Sequence, residues 1–90
     1  MDLSELRKEI DRLDHDLLCI LAKRMKLIPE VAKYKKENNL PRYQPEREKE
    51  IIKSRRELAI KLELNPDLVE SLSREIIKDA HRIETEILGE

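Results

Sequence analysis

Residues 3–38 read LSELRKEIDRLDHDLLCILAKRMKLIPEVAKYKKEN, and this stretch decides the fold. Leu3, Leu6, Ile10, Leu13, Leu17, Leu21, Ile28 and Val31 recur at spacings of three, four or seven. At about 100° per residue they share one side of a helix and form a single apolar stripe. The helix starts near Asp2 or Ser4, where Asp2 followed by Glu5 resembles a capping box, and Leu40-Pro41 closes it. Pro29 lies inside and removes one backbone donor. Because Val31, Ala32 and Tyr34 continue the pattern, the sequence predicts a bend there rather than a break.

Downstream, Gln44-Pro45-Glu46-Arg47-Glu48 opens a second helix, with Pro45 suited to the first helical position. Ile51, Ile52, Leu58, Ala59 and Leu62 carry its apolar face. Asn65-Pro66-Asp67 then caps a third helix whose face is Leu68, Leu72, Ile76, Ile77, Ala80, Ile83 and Ile87. The only glycine is Gly89, and no strand-like alternation occurs. The expected fold is all-α, one domain over residues 1–90, with one long helix and two shorter ones at about 3–38, 45–63 and 66–88.

Composition narrows the function. Nineteen Lys and Arg against twenty Asp and Glu give a net charge of −1, with both signs interspersed. That balance predicts neither a nucleic-acid nor a membrane partner. Tyr34 and Tyr43 are the only aromatic rings apart from histidine, too few for base stacking as a main device. The lone Cys19 excludes an internal disulfide or a multi-cysteine metal site and fits a reducing compartment. The longest apolar run, Leu17–Ala22, falls far short of the ~20 residues that span a bilayer. The charged stretch Met1–Arg12 does not read as a signal peptide. A soluble cytoplasmic domain is expected.

The long helix bears on assembly. At 1.5 Å per residue it runs about 50 Å, whereas a compact chain of this length has a radius of gyration of ~12 Å. One end must project past what the shorter helices can cover, and its stripe continues along the whole length. A second copy packed with two-fold symmetry would bury it, so a homodimer is expected.

Charged residues stand beside each seam. Arg24, Ile28, Val31 and Lys35 fall within about 60° of one another on the first helix. Gln44, Arg47, Glu48 and Ile51 share a strip on the second, and Ile77, Ala80, Glu84 and Leu88 on the third. Isolated buried charges are costly, so this set points to an internal salt-bridge network or to a ligand pocket. In a chain that is 43% charged, long side chains also snorkel from the edge of a seam.

Leu6-Arg7, Ile10-Asp11-Arg12-Leu13-Asp14, Leu17-Leu18 and Leu21-Ala22-Lys23-Arg24 resemble the opening helix of the all-helical (AroQ-type) chorismate mutases. Val31-Ala32-Lys33-Tyr34-Lys35 resembles the stretch with that family's active-site lysine, and Pro45-Glu46-Arg47-Glu48 the start of its second helix. The resemblance covers nearly the whole chain, in order and in spacing. It implies an intertwined homodimer that converts chorismate to prephenate in phenylalanine and tyrosine biosynthesis, with neither cofactor nor metal. Ninety residues would leave no room for a fused dehydratase or dehydrogenase.

By the same resemblance, Arg24 and Arg47 bind the substrate's carboxylates, and Lys35 donates to the ether oxygen and to a carboxylate. Glu48 accepts from the ring hydroxyl, and Arg7 reaches across from the partner chain. Ile28, Val31, Ile51 and Ile77 form apolar walls. Geometry supports the division: Arg7 and Arg24 are about 25 Å apart along a helix and about 100° around it, so one straight helix cannot bring both to one small ligand.

Three positions depart from the family's pattern. Gln44 stands where many members carry Asp, and Ala80 where a Ser commonly helps bind a carboxylate. Glu84 stands where many place a Gln that donates to the ether oxygen, although some fungal members also have Glu. A Glu donates only when protonated, so the rate is expected to rise toward acid pH. Two alternatives stay open: a related reaction on the same scaffold (isochorismate pyruvate elimination, or rearrangement of an amino analogue of chorismate), and a non-catalytic helical dimerisation or regulatory module. His15 is expected on the solvated face, His81 at a surface or interface in preference to the pocket edge that its place beside the Ala80/Glu84 strip also allows, and Cys19 as a small packed residue without an adjacent base. Lys33 and Lys36 read as solvated, and both tyrosines as interface packing.

Overall fold

The structure is a computed structural model describing residues 1–90. It holds four helical segments and no strands: α1 (Leu3–Lys26), α2 (Ile28–Glu37), α3 (Pro45–Lys61) and α4 (Pro66–Leu88). The first two form one rod, so three rods stand where three helices were expected. The long rod is not continuous, however. Leu27 interrupts it, its N–H bonding the Arg24 carbonyl at 3.1 Å, and Pro29 in the first turn of α2 has no donor of its own. The Val31 N–H then reaches back to the Leu27 carbonyl at 3.0 Å, so the chain carries on in the same direction across the fault.

The helix ends follow local chemistry. The Asp2 carboxylate accepts from the Glu5 N–H at 2.8 Å, and the Asn65 side chain from the Asp67 N–H at 2.9 Å. Pro45 and Pro66 each occupy a first turn, where a missing N–H costs nothing. Rods α2 and α3 end alike. Asn39 and Glu63 adopt left-handed backbone at φ 53° and 60°. The Leu40 and Leu64 N–H groups then fold back to the Lys35 and Ala59 carbonyls, each at 2.8 Å. This closure satisfies carbonyls that a helix end leaves bare and turns the chain sharply. After α2 it swings residues 40–44 beneath Lys35.

Packing is uneven along the molecule. Helix α4 packs against both α2 and α3, whereas α1 meets only α2 to any extent and contains no buried residue. The molecule measures 55 × 24 × 15 Å with a radius of gyration of 16.3 Å, against about 12 Å for a compact chain of this length. Its accessible surface of 7305 Å² exceeds the roughly 5,500 Å² of a compact monomer of this mass. Leu3, Leu6, Ile10, Leu13 and Leu17 of the stripe are all exposed, as are Leu58, Leu62, Leu68 and Leu72 on the other two rods. Only Ala32, Ala59 and Glu84 are buried, so one of the three best-shielded residues is a carboxylate. No helix is long and apolar enough to cross a membrane.

Candidate active site

The end of the molecule where α2, α3 and α4 meet holds a cleft of about 330 Å³. Arg24 of α1, Val31 and Lys35 of α2, Gln44, Arg47, Glu48 and Ile51 at the start of α3, and Ile77, Ala80 and Glu84 of α4 all line it, together with Arg42 and His81. Three stretches far apart in sequence thus contribute, each through the strip that periodicity marked.

Lys35 and Glu84 form the floor. The Lys35 ammonium donates to Glu84 Oε1 at 2.9 Å and to the Arg42 carbonyl, also at 2.9 Å. The two side chains retain only 15% and 5% of their exposure, so each is the other's main electrostatic partner. Low polarity strengthens such a pair, while losing either member would strand a charge in a dry site. Arg24 and Arg47 differ. The Arg47 guanidinium touches only Glu50, a weak contact at 3.4 Å, and Arg24 only the Met25 sulfur at 3.7 Å. Both forks are therefore open to an incoming carboxylate.

His81 lines the cleft from α4, at the pocket edge that its place beside the Ala80/Glu84 strip allowed. Its Nε2 lies 2.8 Å from Glu48 Oε2, its Nδ1 2.6 Å from Arg42 Nη1 and 3.7 Å from Glu84 Oε2. Tyr43 stands beside it, ring centres 6.0 Å apart. Arg42 carried no signal in the sequence, because it lies in a loop with no period. His81 did border the Ala80/Glu84 strip, and a histidine three residues before a buried carboxylate was the available hint.

Ile28 is not in the lining, and neither is this chain's own Arg7, which was expected to serve the partner's site. Arg7 sits near the start of α1, about 42 Å along the rod from Lys35. Ile28 is half-buried at the α1–α2 junction and does not line the cleft, although Arg24, Val31 and Lys35 of the same strip do. On the outer face His15 is exposed as expected. Cys19 is exposed too, not packed, and does have a neighbouring base: its sulfur lies 3.8 Å from His15 Nδ1, one turn back. No group of three or more His, Cys, Asp and Glu is arranged to hold a metal ion.

A family model described as chorismate mutase type II matches residues 6–85. The chain belongs to the type II chorismate mutase family. Among relatives, a T-protein from Enterobacter agglomerans is 40% identical over 85 residues, covering 94% of this chain and 23% of that protein. A T-protein from Haemophilus influenzae is 38% identical over 84 residues, 93% of this chain and 22% of that one. A chorismate mutase from Methanocaldococcus jannaschii is 43% identical over 49 residues, 54% of this chain and 50% of its own. The chain thus spans under a quarter of the length of the two T-proteins it matches. The family's all-helical architecture agrees with the rods seen here, and the matched region runs from the first turns of α1 nearly to the end of α4.

Proposed function

We propose that this chain is a chorismate mutase acting in aromatic amino-acid biosynthesis, a single catalytic domain that converts chorismate to prephenate without cofactor or metal. The observation that carries the reading is the convergence of Arg24, Lys35, Arg47, Glu48 and Glu84 on one cleft whose volume suits a small dicarboxylate. The reaction is an intramolecular rearrangement. A carbon–carbon bond forms as the ether carbon–oxygen bond breaks, so no nucleophile or external proton is consumed. What the protein must do is hold a flexible molecule in a reactive, chair-like shape and meet the negative charge growing on the ether oxygen.

The open forks of Arg24 and Arg47 grip the two carboxylates, and Ile51, Ile77 and Val31 restrict the ring and side chain between them. Glu48 accepts from the ring hydroxyl. The Lys35 ammonium, already fixed by Glu84 and the Arg42 carbonyl, stabilises the ether oxygen without reorganising during reaction. A protonated Glu84 would donate to the same oxygen, while an ionised one would repel it. Gln44 and Ala80 line the cleft without supplying a carboxylate or a hydroxyl.

The working unit in this proposal is a homodimer, in the cytoplasm. The excess surface of about 1,800 Å² per chain is of the size an obligate dimer removes. An α1 from a second copy, laid antiparallel, covers the exposed leucines and carries its Arg7 to this cleft. Following chorismate absorbance at pH 5 and pH 7.5, with product identification, tests the reading. Prephenate formation, faster at the acid end and with that preference flattened by Glu84→Gln, is the expected result. Absence of turnover at both pH values from a folded dimer would rule the mutase out.

A further inference from the structure

His81 touches more of the cleft than any residue assigned a role above, and its surroundings fix its state. The ring faces Arg42 from the 38–44 turn, Glu48 from α3, Glu84 on its own helix, and, through Glu84, Lys35 from α2. Arg74 and Lys78 of α4 border the outer groove behind it. A guanidinium has donors only and does not release its protons. The ring nitrogen 2.6 Å from Arg42 Nη1 must therefore accept, which leaves Nδ1 without a proton. A neutral imidazole then carries its hydrogen on Nε2, where Glu48 Oε2 lies 2.8 Å away to accept it.

We infer that Arg42 and His81 are positioning residues: Arg42 locks the imidazole in its Nε2–H tautomer, and the imidazole holds the Glu48 carboxylate so that one oxygen faces the substrate. Two consequences follow from the same bonds. With Nδ1 engaged by Arg42, His81 has no hydrogen to offer Glu84, 3.7 Å away, and Glu84 remains the partner of Lys35 alone. Residue 42 also serves the site twice, with its side chain on His81 and its carbonyl on Lys35. Its Nε is buried with no protein acceptor, so the bond to His81 is what seats the guanidinium. The role given to Glu48 rests on the mutase reading; the tautomer does not.

The test has two arms on the full chain. Long-range nitrogen–proton NMR of ¹⁵N-labelled protein distinguishes the tautomers, and with His15 the only other histidine, His15→Gln completes the assignment. At pH 7.5, His81 is expected to show a bare Nδ1 and a protonated Nε2, and Arg42→Met to relax this to a mixture. A proton on Nδ1 in the unaltered chain, or no response to Arg42→Met, would overturn the lock. In the kinetic arm, His81→Leu is expected to raise KM for chorismate about tenfold with a smaller change in kcat, because the ring hydroxyl is held equally in ground and transition states. His81→Gln, which keeps a donor for Glu48, should recover most of that loss. A fall in kcat at unchanged KM, or no recovery with Gln, would overturn the link to Glu48. If the unaltered chain showed the expected tautomer but no turnover, the lock would stand and both the activity and the Glu48 role would fall.

Discussion

The Lys35–Glu84 pair concentrates the chemistry of this molecule in two side chains. It is nearly buried, and each partner is within 2.9 Å of the other, so its contributions to stability and to catalysis are separable by mutation. Lys35→Met leaves a carboxylate without its cation and is expected to destabilise the chain by about 3–5 kcal/mol in denaturant titration. In the proposed reaction it also removes the donor to the ether oxygen, for an expected loss in kcat of about 10²–10³-fold. The double variant Lys35→Met/Glu84→Met should regain much of the stability and none of the activity. Recovery of both together would mean that the pair is structural. Lys35 and Glu84 were legible as individual seam positions, since each stands on an apolar strip. Their mutual contact was not, because no periodicity within one helix reports the distance to another.

At the level of elements, one left-handed closure ends α2 beside the cleft, and the other ends α3 at the far end of the α3–α4 hairpin. Glu63 adopts φ 60° with no glycine to relieve it, so Glu63→Gly should stabilise the chain by about 1 kcal/mol, read as a raised denaturation midpoint. The α3–α4 hairpin is tied on its outer side by Arg56, which bonds both Asp67 and Glu70 at 3.0 Å, while Arg74 bonds Glu70 at 2.9 Å. The Arg74 hydrogen bond first, and then its charge and the Arg56 contacts, hold the Glu70 carboxyl below its ordinary value of 4.5. A depressed carboxylate stabilises the fold above its unfolded pKa and loses that contribution as pH falls through the folded one. Thermal midpoints should therefore decline from about pH 5 toward pH 3, and Arg74→Gln should make that decline shallower. The same slope in the variant would show that Glu70 contributes nothing. Helix starts and stops were readable because caps and prolines act within a few residues. The fault at Leu27 lies where a bend was expected, but that it interrupts the helical bonding is visible only with the bonds placed.

The whole molecule presents an extended rod with an exposed apolar stripe and a cleft at one end. That shape makes a two-chain working unit testable without a structure of the dimer. Arg7→Ala and Arg47→Ala are each expected to lose activity, but in different positions relative to a shared site. Mixed after co-refolding in equal amounts, they should regain about a quarter of the unaltered activity, since half the dimers are mixed and one of their two sites is intact. No recovery above the sum of the separate variants would place Arg7 and Arg47 in one chain's site or exclude Arg7 altogether. Leu13→Glu, on the exposed stripe, should shift the mass in sedimentation toward a single chain.

The sequence alone determined the elements and their faces. Helical periodicity, a capping aspartate and asparagine, and prolines in first turns are signals that act over a few residues, and they located three rods, their apolar sides and most of the cleft lining. It also dictated that the long rod would be left uncovered, because 36 residues of helix outrun what two shorter helices can bury. Tertiary structure decided what depends on distances between elements: the Lys35–Glu84 pair, the turn that carries Arg42 under both Lys35 and His81, and the placing of His81 between two carboxylates. A hydrogen bond is specified to a few tenths of an ångström, and that precision arises only when α2, α3 and α4 pack against one another.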